Sequence, residues 1–302
     1  MLTTLPPAVS GERFEFDSIA GRISVYVAGK GSGPPLLLIH SINAAASAAE
    51  VRPLHEHYRA THTVFSIDLP GFGFSDRSDR PYTPRLMTDA LHAVVAQIQL
   101  RCGNAPIDAL AVSLSCEYLA RAAMESPAAF RRLALVSPTG FSGLSERRAP
   151  PGTTRYVPWL HRLFVGPRPG WSDAIFRCLT RPGVIRYFLQ RTWGSKAIDE
   201  TLWAYNMLST RQPGAKFAPL HFLSAHLFSA DIHTVYEALT MPVWMSHGVR
   251  GDFTDYRGKF IIEKKPNWCF SIFTAGALPY FEVEASFNEA FDNFLQTSML
   301  SA

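Results

Sequence analysis

A serine set between a buried apolar run and a helix is the first place to look for chemistry in this 302-residue chain. Ser113 lies in Ala111-Val112-Ser113-Leu114-Ser115, after the apolar run Ile107–Val112 and before a helix expected over 114–126. A serine on a sharp strand-to-helix turn exposes its hydroxyl, and small residues two positions away on either side let strand and helix approach closely. Glycine is usual at those two positions; here they are Ala111 and Ser115, both still small. The chemistry on offer is nucleophilic attack on a carbonyl, and the bland alternative is a serine that caps the helix. Metal chemistry has no footing, because neither H-E-x-x-H nor paired Cys/His spacing occurs, and no cofactor is expected. Gly31-Ser32-Gly33 runs into Pro34-Pro35 and a strand, whereas a phosphate-cradling loop would open a helix.

Composition sets the frame. With 47% hydrophobic and 18% charged residues, the chain can bury a real core, which excludes a disordered polypeptide. A net charge of +4 with only isolated basic pairs, such as Arg147-Arg148 and Lys264-Lys265, argues against a nucleic-acid partner. The four cysteines (Cys102, Cys116, Cys178, Cys269) are scattered and suit a reducing compartment. No apolar run approaches the roughly 18–20 residues of a membrane span. The start of the chain lacks the basic and apolar regions of a signal peptide. A cytoplasmic protein is expected.

The elements that must hold Ser113 follow from periodicity. Runs at 13–16 and 22–27 alternate apolar and polar residues, as half-buried antiparallel strands do. Those at 36–39, 63–67, 107–112, 133–136, 243–246 and 269–273 are apolar almost throughout, as in parallel strands covered on both faces. Helices are expected at 44–50, 84–100, 114–126 and 285–297 between and after them. The pattern predicts an α/β fold, a mostly parallel doubly wound sheet. Its rhythm breaks over 142–236, where twelve Arg/Lys face five Asp/Glu and four of the six tryptophans gather. That stretch reads as a helical cap inserted into a core of residues 1–141 and 237–302.

Two further segments carry a resemblance. Pro35-Leu36-Leu37-Leu38-Ile39-His40 and Asp68-Leu69-Pro70-Gly71-Phe72-Gly73-Phe74-Ser75, with the serine turn, are similar to the α/β-hydrolase superfamily. The resemblance spans nearly the whole chain and is weakest in the cap. It implies Ser113 as nucleophile and two backbone N–H donors for an oxyanion, one from Leu114 and one from Ile42 in the loop after His40. The family usually has His-Gly in that loop, where this chain has His40-Ser41. It also implies an acid after strand 243–247; Asp252 is the choice and Asp255 the fallback, with a plain loop aspartate as the alternative reading.

The departure concerns the base. In this family the triad runs Ser, then Asp or Glu, then His in chain order. Gly276-Ala277-Leu278-Pro279-Tyr280-Phe281-Glu282 matches a G-H-x-P-x-x-E stretch everywhere except the histidine slot, which holds Ala277. The last histidine in the chain is His247, 55 residues from the end. General-base assistance is worth about 10²–10⁴-fold, so a fast esterase needs a substitute. His40, His226 and His221 are the candidates, each weighed against a structural role. His247 reads as strand structure, and Tyr280 as a hydrogen-bond donor at most.

The tryptophans and interleaved arginines of the cap point to a lipophilic or aromatic small-molecule substrate, against the plainer reading that they are the cap's own core. Three functions stand open. The first is hydrolysis or acyl transfer on an ester, thioester or related carbonyl through Ser113. The second is a silent binding protein, and the third a non-hydrolytic lyase, isomerase or cyclase that uses the oxyanion hole.

Overall fold

A computed structural model describes residues 4–31, 33–166, 168–251 and 254–296. Eight strands form one sheet: β1 (Glu12–Ser18), β2 (Gly21–Ala28), β3 (Leu36–Ile39), β4 (Val64–Asp68), β5 (Ile107–Val112), β6 (Phe130–Val136), β7 (Val243–Gly248) and β8 (Trp268–Phe273). Their spatial order is β1-β2-β4-β3-β5-β6-β7-β8. β1 pairs with β2, and β2 with β4, antiparallel; every other pair is parallel. The doubly wound sheet expected from the sequence is therefore present, with each of its strands.

Chain order reverses at β3, which lies between β4 and β5. The chain leaves β3 toward one edge of the sheet and leaves β5 toward the other, so a crevice opens outside the C-terminal ends of these two strands. The loop His40–Asn43 and the turn at Ser113 both lie there.

Both faces of the sheet are buried because successive residues of its inner strands point to opposite sides. Leu37 and Ile39 pack with Met87 and Leu91 of α2 (Pro84–Cys102) and Leu119 of α3 (Ser115–Glu125). Leu36 and Leu38 pack in the opposite layer with Leu54 of α1 (Arg52–Tyr58) and Phe291 of helix Glu284–Gln296. In that layer Trp244 of β7 stacks on Phe291 at 5.4 Å between ring centroids.

The alanine-rich stretch 44–50 is not the helix its composition suggests. Only a short 3-10 turn forms over Ala48–Val51, and α1 begins at Arg52. Side chains compete for the backbone here: Asn43 accepts from the Ala45 amide and Asp68 from the Ala48 amide.

Between β6 and β7 the described residues form six helices: α4 (Pro158–Val165), α5 (Trp171–Leu179), α6 (Pro182–Trp193), α7 (Glu200–Ser209), α8 (Phe217–Leu223) and α9 (Ile232–Glu237). α9 is tied to the sheet layer, since Asp231 ahead of it forms a buried ion pair with Arg121 of α3 at 2.5 Å. After β8 come α10 (Pro279–Glu282) and α11 (Glu284–Gln296). Among the described residues no helix is long and apolar enough to cross a membrane.

Candidate active site

Ser113 occupies left-handed backbone space, with φ of 56°. A non-glycine residue is held there only when its surroundings fix it. The surroundings do so: its N–H donates to Val136 O at 2.8 Å, and its carbonyl accepts from the Cys116 amide at 3.1 Å. Ser115, where glycine is usual, has its own task. Its hydroxyl donates to His40 O at 2.5 Å and ties the first turn of α3 to the end of β3.

The facing loop is organised by one buried carboxylate. Glu50 accepts from the Ser41 amide at 2.9 Å and from the Asn43 side chain at 2.5 Å. Among the described residues neither the Ile42 nor the Leu114 amide makes a hydrogen bond. Amide donors without a protein acceptor, on the two loops that leave β3 and β5, suit an oxygen that gains negative charge.

The D-x-P-G-x-G-x-S segment builds the neighbouring turn. Gly71 and Gly73 have φ of 91° and 50°, and a Cβ at Gly73 would fall 2.0 Å from the Asp68 carboxyl carbon. Asp68 is buried and caps the amides of Ala48 and Phe74. Burial pushes its pKa up, and those two amides oppose the shift.

Among the described residues the three histidines expected as substitutes are engaged with partners other than Ser113. His40 donates from Nδ1 to Ser41 O at 2.6 Å, and its Nε2 accepts from the Leu69 amide at 3.0 Å. With both nitrogens engaged by backbone it has none left to take a proton, and full burial keeps it neutral. His221 and His226 face each other with Nδ1 atoms 2.9 Å apart. They form a cluster with His161 and Tyr156, and the His221 ring lies against Tyr82. Among the described residues neither contacts Ser113.

Of the two acids named, Asp252 lies outside the described residues. Asp255 is exposed and engaged locally: it accepts from the amides of Gly143 and Arg257 and pairs with the Arg257 guanidinium. Those two amides, with Arg257, hold its carboxyl down at about 2.

Ala277 lines a half-open cleft of about 660 Å³ together with Ser137, His247, Arg250, Asp255 and Tyr256. The backbone around Ala277 is held by hydrogen bonds on both sides. The Ala277 amide donates to Thr192 O at 2.7 Å, its carbonyl accepts from the Ser137 hydroxyl at 2.7 Å, and Glu282 accepts from the Gly276 amide while pairing with Arg250.

Sequence reasoning missed what shares this cleft. Val112, Val136 and Ser246 are register partners across β5, β6 and β7, and the ladder continues with Ser113 N–H to Val136 O and Ser137 N–H to Ser246 O. Ser113, Ser137 and His247 thus stand at one level along the C-terminal edge of the sheet. His247 donates from Nδ1 to Gly248 O at 2.9 Å, which leaves Nε2 as the basic nitrogen; it has no partner among the described residues. Burial lowers the pKa of this imidazole, so it is neutral at pH 7. Its ring lies flat on Tyr256, with centroids 3.8 Å apart, and Tyr256 reaches the Ser137 side chain. Each of the three is the polar residue at the end of an apolar strand, a pattern that does not by itself say which of them share a level.

The tryptophans expected to line a pocket do other work. Trp193 packs on Phe281, Trp203 lies under the Arg186 guanidinium, and Trp159 and Trp171 are exposed. Tyr280 is buried with no hydrogen-bond partner for its hydroxyl among the described residues. No group of three His, Cys, Asp or Glu suited to a metal ion occurs among the described residues.

Comparison with known proteins agrees with this architecture. A family model described as alpha/beta hydrolase fold matches residues 34–176. Among curated proteins, a pimeloyl-[acyl-carrier protein] methyl ester esterase of Xylella fastidiosa is 36% identical over 72 residues, 24% of this chain. The match spans only 26% of that relative's length. Among solved structures, a probable hydrolytic enzyme from Pseudomonas aeruginosa superposes with a TM-score of 0.67 at 18% identity, covering 95% of this chain and 94% of the other. A carboxylesterase from Bacillus subtilis gives 0.68 at 15% identity, covering 95% and 92%. With the strand order of the sheet, these findings show that the chain has the alpha/beta hydrolase fold.

Proposed function

We propose that the protein is a slow serine hydrolase acting on an ester, thioester or related carbonyl of an apolar small molecule. Ser113 is the nucleophile, and the Ile42 and Leu114 amides form the oxyanion hole. The observation that carries this reading is the strained Ser113 turn at the end of β5, with the Ile42 and Leu114 amides on the loops after β3 and β5 making no protein hydrogen bond. His247 is the base in place of the absent triad histidine, supported by its neutral Nε2 and its position at the level of Ser113. The strand spacing of roughly 4.8 Å puts its backbone about 10 Å from that of Ser113, a gap that the two side chains and one bridging water close.

In the first step the Ser113 hydroxyl passes its proton to His247, and its oxygen bonds to the carbonyl carbon. The collapse of the oxyanion breaks the bond to the leaving oxygen or sulfur, which takes the proton from the imidazolium. Water then repeats the sequence on the acyl-enzyme. Helices over 142–236 act as the cap that shelters the acyl group.

Reaction with a fluorophosphonate tests this, since an adduct on Ser113 that is absent from Ser113→Ala is expected. His247→Gln should slow adduct formation at least tenfold, and Ala277→His should speed it. A wild-type protein that forms no adduct overturns the nucleophile. Unchanged labelling in His247→Gln overturns only the base.

A second reading has its own observation. The carbonyl of Ala277 is held by Ser137 and its amide by Thr192, so the slot is a settled backbone feature. A binding protein that kept the cleft and lost turnover would show this too, and would bind lipophilic carbonyl compounds without forming an adduct.

A further inference from the structure

One exposed face of the helices between β6 and β7 combines apolar and basic residues in a way the core fold does not require. On α4, Trp159 is 67% exposed, Leu163 50% and Val165 44%, and Trp171 at the start of α5 is 42% exposed. They are neighbours: Trp159 and Leu163 are one helical turn apart, and the Trp171 indole donates to Leu163 O at 2.8 Å. Large apolar side chains grouped this way on a surface mark an interaction site.

Charge identifies the partner. From Arg147 to Ser172 the chain carries five arginines and no Asp or Glu. Three of them, Arg155, Arg162 and Arg168, are exposed and flank the tryptophans. A second copy of this chain would set arginine against arginine across such a contact. Trp159 and Trp171 are exposed on this helical surface, which suits contact with a headgroup layer.

We propose that α4 and the start of α5 form a docking surface for anionic lipid bilayers. Trp159, Leu163 and Trp171 enter the interfacial layer, and the flanking arginines meet lipid phosphates. The chain lies on the membrane and does not span it. This inference does not depend on Ser113 being a nucleophile.

Vesicle sedimentation with the full chain tests it. At low salt, vesicles of phosphatidylglycerol mixed with phosphatidylcholine should bind the protein at least tenfold more tightly than phosphatidylcholine alone. Raising NaCl to about half molar should remove most of that binding, since surface charge interactions are screened over a few ångströms at that strength. Trp159→Ser with Leu163→Ser, both surface changes, should lower binding tenfold or more, and so should Arg162→Glu with Arg168→Glu. Brominated lipid should quench tryptophan fluorescence in the unaltered protein, a readout that needs no variant. Failure to bind either vesicle overturns the proposal, as does equal binding to both. Concentration-dependent dimers lost in Trp159→Ser would assign the face to a second copy, and retention on polyglutamate without vesicle binding would assign it to an acidic protein; either result overturns it.

Discussion

At the scale of single residues, the site turns on how little is needed to hold an unfavourable serine. Ser113 has left-handed backbone geometry because β6 and α3 accept and donate its two backbone hydrogen bonds. Glu50 does the corresponding work for the facing loop. Glu50→Ala should therefore cost about 1–3 kcal/mol of stability, the penalty of orphaned buried donors, and should slow fluorophosphonate labelling because the Ile42 amide loses its aim. Denaturant melts with parallel labelling rates check both. Ser113 was legible in the sequence because small flanking residues advertise a tight turn. Ser137 and His247 were not, since only the ladder across β5, β6 and β7 brings them to the same level. For His40 the sequence leaves two roles open, and the backbone carbonyl of Ser41 and amide of Leu69 that engage its ring favour the structural one.

Among elements, the helices between β6 and β7 are joined to the core by close backbone approaches. A Cβ at Gly276 would fall 2.4 Å from Thr192 O and 2.5 Å from the backbone of Trp193, so the end of α6 rests directly on the loop that carries Ala277. Gly276→Val should destabilise by about 1–3 kcal/mol through overpacking, with thermal melting as the measure. The histidine cluster gives these helices a pH dependence. Burial, with His161 and His226 as neighbours, pushes the His221 imidazole down to about 4. An unfolded histidine takes its proton near 6.5, so in the interval the unfolded chain binds more protons than the folded one. Stability is then complete above about pH 6.5 and falls as pH drops toward 4. Melting temperatures across that window should decline, and His221→Asn should flatten the decline. Strands were easy to read because parallel strands are apolar throughout. The helix expected at 44–50 failed because Asn43 and Asp68 take its first amides, which local composition does not reveal.

Over the whole molecule, a single reversal of strand order creates the crevice, and both candidate oxyanion donors lie on loops that leave it in opposite directions. The buried ion pair between Arg121 and Asp231 fastens α9 to α3. Asp231→Ala strands a buried guanidinium and should cost about 3–5 kcal/mol, read from chemical denaturation. The architecture was legible from apolar runs and from the glycine turn at 71–73. The chemistry was less so, because the resemblance implies a histidine as base at a position where this chain has Ala277.

The most direct measurement is peptide mass mapping after incubation with an activated short-chain aryl ester. An acyl group on the peptide that contains Ser113, formed faster than it is released and absent from Ser113→Ala, is the expected result. Ester turnover that persists in Ser113→Ala, or an acyl group found only elsewhere, would contradict it.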